Sequence, residues 1–101
     1  MAIGSEQRRQ QRRPSITASF PGTHVEAALD LLHLADMAWH DCFGPRELEV
    51  PAAVLDDIML LAKGDLATLV SVARAAVIDF RDVRMAADAE RAAASDREAG
   101  P

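Results

Sequence analysis

The chain has one cysteine, one lysine, no tyrosine and no asparagine, and only four aromatic side chains among its 101 residues. Cys42 has no partner for an intrachain disulfide, and zinc sites built on cysteine pairs are excluded with it. So low a cysteine content fits a reducing compartment, and a cytoplasmic protein is expected. A secretory signal needs an apolar stretch of roughly 7–15 residues after its positive charges, whereas Arg8, Arg9, Arg12 and Arg13 run into Pro14-Ser15-Ile16-Thr17. A membrane span needs about 20 apolar residues in succession, and no run here is that long.

Catalytic signatures are missing too. There is no glycine-rich phosphate loop and no serine or cysteine nucleophile in a recognisable setting. Asp56 and Asp57 are adjacent, but neighbours on a helix point about 100° apart and do not share a site. No enzyme activity, cofactor or small-molecule substrate is expected. The single lysine beside ten arginines, the abundant alanine and the missing asparagine match the codon usage of a GC-rich bacterial genome. That is an association, not a physical argument.

What is present is enough for one domain, since a chain of this length buries about two-thirds of its unfolded surface. The net charge of −5 hides an asymmetry: residues 1–22 carry four arginines against one glutamate, while 23–101 carry seven basic against fifteen acidic residues. An acidic body weighs against a folded nucleic-acid surface, which needs clustered Lys and Arg.

Residues 1–22 show little hydrophobic periodicity, so a disordered basic tail is predicted, with Ile16 and Phe20 able to pin its end. A helix over 23–43 is expected to open with a Thr23-x-x-Glu26 capping box and to stop at Gly44-Pro45. Val25, Ala28, Leu29, Leu32, Ala35, Trp39, Cys42 and Phe43 share its core face, which makes Cys42 an inert buried thiol. A second helix over 51–63 begins at Pro51 and ends at Gly64, with Val54, Leu55, Ile58, Leu61 and Ala62 inward. A third, over 65–93, is capped by Asp65 and contains neither glycine nor proline. Its stripe of Leu66, Leu69, Val70, Ala73, Ala76, Val77, Phe80, Val83 and Ala87 faces the core. Residues 95–101 are expected to fray. The predicted fold is all-α, a three-helix antiparallel arrangement with a long third helix, dimerising through its surplus apolar faces.

That surplus is Leu31, Leu34, Met59, Leu60, Ile78 and Met85, which fall outside the faces assigned to the core and are the expected partner interface. The expected function is a small non-enzymatic protein-protein interaction or regulatory module that self-associates as a homodimer. In a second reading the chain is a nucleic-acid-associated regulator acting through Arg8, Arg9, Arg12 and Arg13; those arginines could equally meet an acidic partner or the acidic body itself. Arg12-Arg13-Pro14-Ser15 also resembles a basic phosphorylation context, a short pattern frequent by chance. A third reading takes His33, Asp36 and His40, at i, i+3 and i+7, as metal ligands, although the pattern lacks a fourth ligand and no metal is assigned. A helix-turn-helix is disfavoured: Leu66, Ala67, Thr68 and Leu69 offer nothing that reads base edges.

Overall fold

A computed structural model describes residues 2–99. Four helices pack together: α1 (Ala2–Ser19), α2 (Val25–Phe43), α3 (Ala52–Ala62) and α4 (Leu66–Ala99), with a short 3-10 turn at Gly22–His24 before α2. No strand occurs among the described residues, so the all-α expectation holds. None of the described helices is long and apolar enough to cross a membrane.

The expected disordered tail is instead α1; Met1 lies outside the described residues. Pro14 sits inside this helix with no N–H to donate, a position that costs about 3 kcal/mol in a helix interior. Tertiary docking therefore has to hold it. Positions 8, 12, 16 and 20 are spaced by four, so Arg8, Arg12 and Ile16 lie along one helical ridge that Phe20 continues. The inward Ile16 and Phe20 are almost fully buried in the core, and burial of each contributes about 1.5–3 kcal/mol. The arginines lie over acidic residues of α2 and of the loop that follows it. Local periodicity could not show this, because the stabilising groups are supplied by other elements.

The start of α2 also differs from expectation. No side-chain cap forms there, His24 occupies the cap position, and Glu26 turns to Arg9 and Arg13 instead. Gly44 closes α2 with a positive φ of 104° and donates its N–H to the His40 carbonyl at 2.9 Å. At the corner between α3 and α4, Lys63 and Gly64 both adopt positive φ. Gly64 is required there, since a Cβ would strike the Ser19 carbonyl at the end of α1. Asp65 caps α4 as predicted, its Oδ2 accepting from the Thr68 N–H at 2.9 Å and the Thr68 hydroxyl at 2.6 Å. Those two bonds hold its carboxyl below the usual range.

The long third helix is not straight. A continuous helix would carry residue 90 about 36 Å from residue 66, yet Lys63 Nζ meets Glu90 Oε1 at 3.1 Å and Arg91 Nη2 meets Asp57 Oδ1 at 2.7 Å. The chain turns back at Asp79, whose φ of −155° and ψ of 95° are extended. Asp79 then acts as the N-cap of the second arm: its Oδ1 accepts from the Arg81 backbone N–H at 3.1 Å and the Arg81 guanidinium at 3.0 Å. Its carboxyl is held below the usual range by that guanidinium first and by the backbone N–H second. The first arm, 66–78, lies along α2 in the same direction, bringing Leu31 beside Val70 and Trp39 beside Phe80. The second arm, 80–99, runs back along α3. Helical structure continues to Ala99, beyond the predicted fraying point; residues 100–101 are outside those described.

The core is built where these elements meet, from Ile16, Phe20, Leu29, Leu32, Trp39, Ile58, Leu69, Ala76 and Val83. Most predicted inward positions of α2 and α3 are buried or half-buried. Cys42 is a correction: it is exposed, as is Phe43. Phe43 packs on Trp39 and Phe80 at the margin of the core, and Cys42 beside it at the end of α2 stays uncovered.

Candidate interaction surface

Because α2 and the first arm of α4 lie side by side, their outer faces merge. Leu31, Leu34, Ala35 and Ala38 from α2 and Val70, Ala73, Val77 and Ile78 from α4 line one groove of about 320 Å³, with Arg74 at its margin. Leu34 is 58% and Ile78 70% exposed, so large side chains project beside a floor of alanines. Val70, assigned from sequence to the core stripe, is exposed here as well. The signal that could have found it was its place one turn before Arg74, on the margin of the α4 stripe rather than at its centre.

The six residues expected to form the interface do not share one surface. Leu31, Leu34 and Ile78 converge on this groove. Met59 is half-buried and faces a separate cleft between α1 and α3. Leu60 stands partly exposed on α3. Met85, on the second arm, lies in a third cleft with Trp39, Phe43 and Phe80. The reversal at Asp79 separates Ile78, on the first arm, from Met85 on the second.

The basic residues of α1 meet the acidic body itself. Arg12 donates to both oxygens of Asp36, Nη1 to Oδ2 at 2.7 Å and Nη2 to Oδ1 at 2.9 Å, and Oδ1 also accepts the Val50 N–H at 2.9 Å. Arg8 adds a contact of 3.6 Å to Asp36 and one of 2.9 Å to Glu49. Arg9 pairs with Asp30 at 2.7 Å and Glu26 at 2.8 Å, and Arg13 pairs with Glu26 at 2.5 Å. Arg13 first and Arg9 second lower the Glu26 carboxyl to about 2, and both guanidiniums are raised in return.

These pairs also engage residues of the metal arrangement expected from sequence. His33, Asp36 and His40 line a common cleft, but the Asp36 carboxylate is committed to Arg12 and to the Val50 N–H. His40 donates from Nδ1 to the Glu47 carbonyl at 3.2 Å. Among the described residues no group of three His, Cys, Asp or Glu side chains comes close enough to hold a metal ion.

A second buried carboxylate was missed from sequence. Asp57, 1% exposed, accepts from Arg91 at 2.7 Å through Oδ1, while its Oδ2 has Arg84 at 3.7 Å and no hydrogen-bond partner. Asp57 lies one position before the core residue Ile58 on the buried side of α3; its acidic type, not its spacing, argued for exposure. The chain matches no family model, no curated protein and no solved structure.

Proposed function

We propose that this chain is a non-enzymatic helical interaction or regulatory module whose partner, in the first instance, is a second copy of itself. The observation that carries this is the groove between α2 and the first arm of α4. It combines projecting side chains, Leu34 and Ile78, with a floor of Ala35, Ala38 and Ala73. A two-fold interface requires one patch to be its own complement, and this patch supplies both knobs and holes. Two copies meeting here would form a four-helix layer from two α2 helices and two first arms.

The tail-mediated nucleic-acid reading loses its support, because Arg8, Arg9, Arg12 and Arg13 all have carboxylate partners on the body. Counter-ion release needs cations that are not already neutralised.

Light scattering after size exclusion, over a range of protein concentrations, tests the proposal. A mass twice that of the chain is expected, and the double variant Leu34→Asp, Ile78→Asp should run as a folded monomer. Both positions are exposed, so the variant's helical content should be unchanged. A wild-type chain that stays monomeric at every concentration, or a dimer indifferent to the double substitution, overturns the proposal.

A further inference from the structure

The groove between α2 and the first arm of α4 carries charge as well as apolar surface. Arg74 stands at its α4 margin. Asp41 follows Leu34 by two helical turns and so projects along the same outward line of α2. Both side chains are exposed, and among the described residues neither takes part in a hydrogen bond or ion pair. Asp30, the other acidic residue on that outward line, is already paired with Arg9 at 2.7 Å.

The heights of the two charges along the groove are related. α2 and the first arm run in the same direction with the same rise per residue, and Leu31 and Val70 stand at one level, where both line the groove and the hollow beside it. Two turns further on, Ala38 and Val77 share a level, and both line the groove. Arg74 precedes that level by three residues and Asp41 follows it by three, about 4.5 Å to either side. Within one chain they are therefore about 9 Å apart along the helices and about 8–10 Å across them, too far for an ion pair. In a second copy turned end over end about an axis crossing the groove at this level, Asp41 comes opposite Arg74. The apolar side chains agree with that placement. Ile78, next to Val77 and 70% exposed, lies beside the axis and meets its own copy, while Leu34, 58% exposed, falls opposite the small side chains of Ala38 and the exposed Cys42. An axis centred on Arg74 would instead set each Arg74 against its own copy, which like-charge repulsion disfavours.

We infer that two copies associate antiparallel about a two-fold axis at the level of Ala38 and Val77, with Arg74 of each chain paired to Asp41 of the other. This rests on the self-association reading and adds its geometry and its selectivity. The apolar groove supplies the buried area, and the two symmetry-related ion pairs set orientation and register and disfavour apolar surfaces without the matching charges. A two-fold axis along the helices would leave Arg74 level with Leu34 and Ala35 of the second copy and both charges without a partner.

Charge exchange on the full chain tests this, with the dimer followed by light scattering and by native mass spectrometry. Arg74→Glu and Asp41→Arg should each weaken self-association by about tenfold or more, because a two-fold interface repeats every like-charge contact. An equimolar mixture of the two variants should form a heterodimer at concentrations where neither pairs with itself, since each altered side chain then meets the other and each unaltered one meets its natural complement. Recovery on mixing also shows that both variants are folded. Asp56→Arg makes the same charge change on the separate cleft between α1 and α3 and should not rescue Arg74→Glu. A dimer indifferent to both reversals, a mixture that stays monomeric, or rescue by Asp56→Arg overturns the inference; if Leu34→Asp, Ile78→Asp still breaks that dimer, the groove reading stands without it. A wild-type chain that is monomeric at every concentration overturns both.

Discussion

Asp36 and Asp57 are the two buried acidic side chains of the described residues, at 2% and 1% exposure, and each faces a pair of arginines from a neighbouring helix. Their surroundings differ. Asp36 accepts three short hydrogen bonds, and the side chain of Arg12, its main partner, is only 10% exposed. Asp57 accepts one, from an arginine that is 42% exposed, and keeps an oxygen without a donor. Burial alone therefore does not define the role of a charged group. The first carboxylate is a completed clamp joining α1, α2 and the loop before α3. The second joins α3 to the returning arm of α4 with capacity left over, beside an aromatic cleft.

The same substitution at both positions is the strongest way to break this comparison. Asp36→Asn removes the charge that compensates a nearly buried Arg12 and should cost about 3 kcal/mol or more. Asp57→Asn should cost only about 1–2 kcal/mol, because Arg84 and Arg91 can return to water. Urea unfolding of both variants gives the answer; equal losses would mean that the completeness of the bonding has no energetic consequence.

The next effect is smaller and concerns the reversal that brings the second arm back to Asp57. Asp79→Ala removes the cap at the start of that arm and should lower the thermal midpoint by a few degrees. A midpoint equal to wild type would show that packing of the arm against α3, not the cap, sets the turn.

The smallest effect sharpens the α1 side. Glu26 has a folded-state value of about 2 against an ordinary 4.5. A carboxylate depressed in this way contributes stability that is present above its ordinary value and is lost as pH falls toward the depressed one. Stability should decline across that acidic window, with Glu26→Gln flattening part of the decline. Added salt should mimic the effect, because these arginine contacts are open to solvent. An identical pH profile for wild type and Glu26→Gln would remove Glu26 from the holding of α1.

Much of the fold was legible wherever neighbours in sequence set the outcome. The spans of α2 and α3, the Asp65 cap and the inward stripe with Leu29, Leu32, Ile58, Leu69 and Val83 follow from helical spacing and end signals that act within a few residues. The groove between α2 and the first arm was half legible. Leu34 and Ile78 were correctly placed off the core, but that they share a groove follows from the parallel course of α2 and the first arm, which no periodicity encodes. The spacing of Asp57 was legible beside Ile58 but its acidic type argued against burial, and the aromatic cleft was not legible beyond the Trp39–Phe43 turn because its walls lie on three separate helices.

What the sequence by itself determined is helicity and the apolar faces of α2 and α3, because backbone bonding and side-chain spacing are local. Tertiary structure decided the rest. The basic N-terminal segment became a helix only because Asp36, Glu26 and the core supplied partners for its arginines and for Ile16. The long Ala-rich segment reversed at Asp79 because the returning arm could bury Val83 and reach Asp57. In both places the deciding free energy came from groups far apart in the chain, which only the folded arrangement brings together.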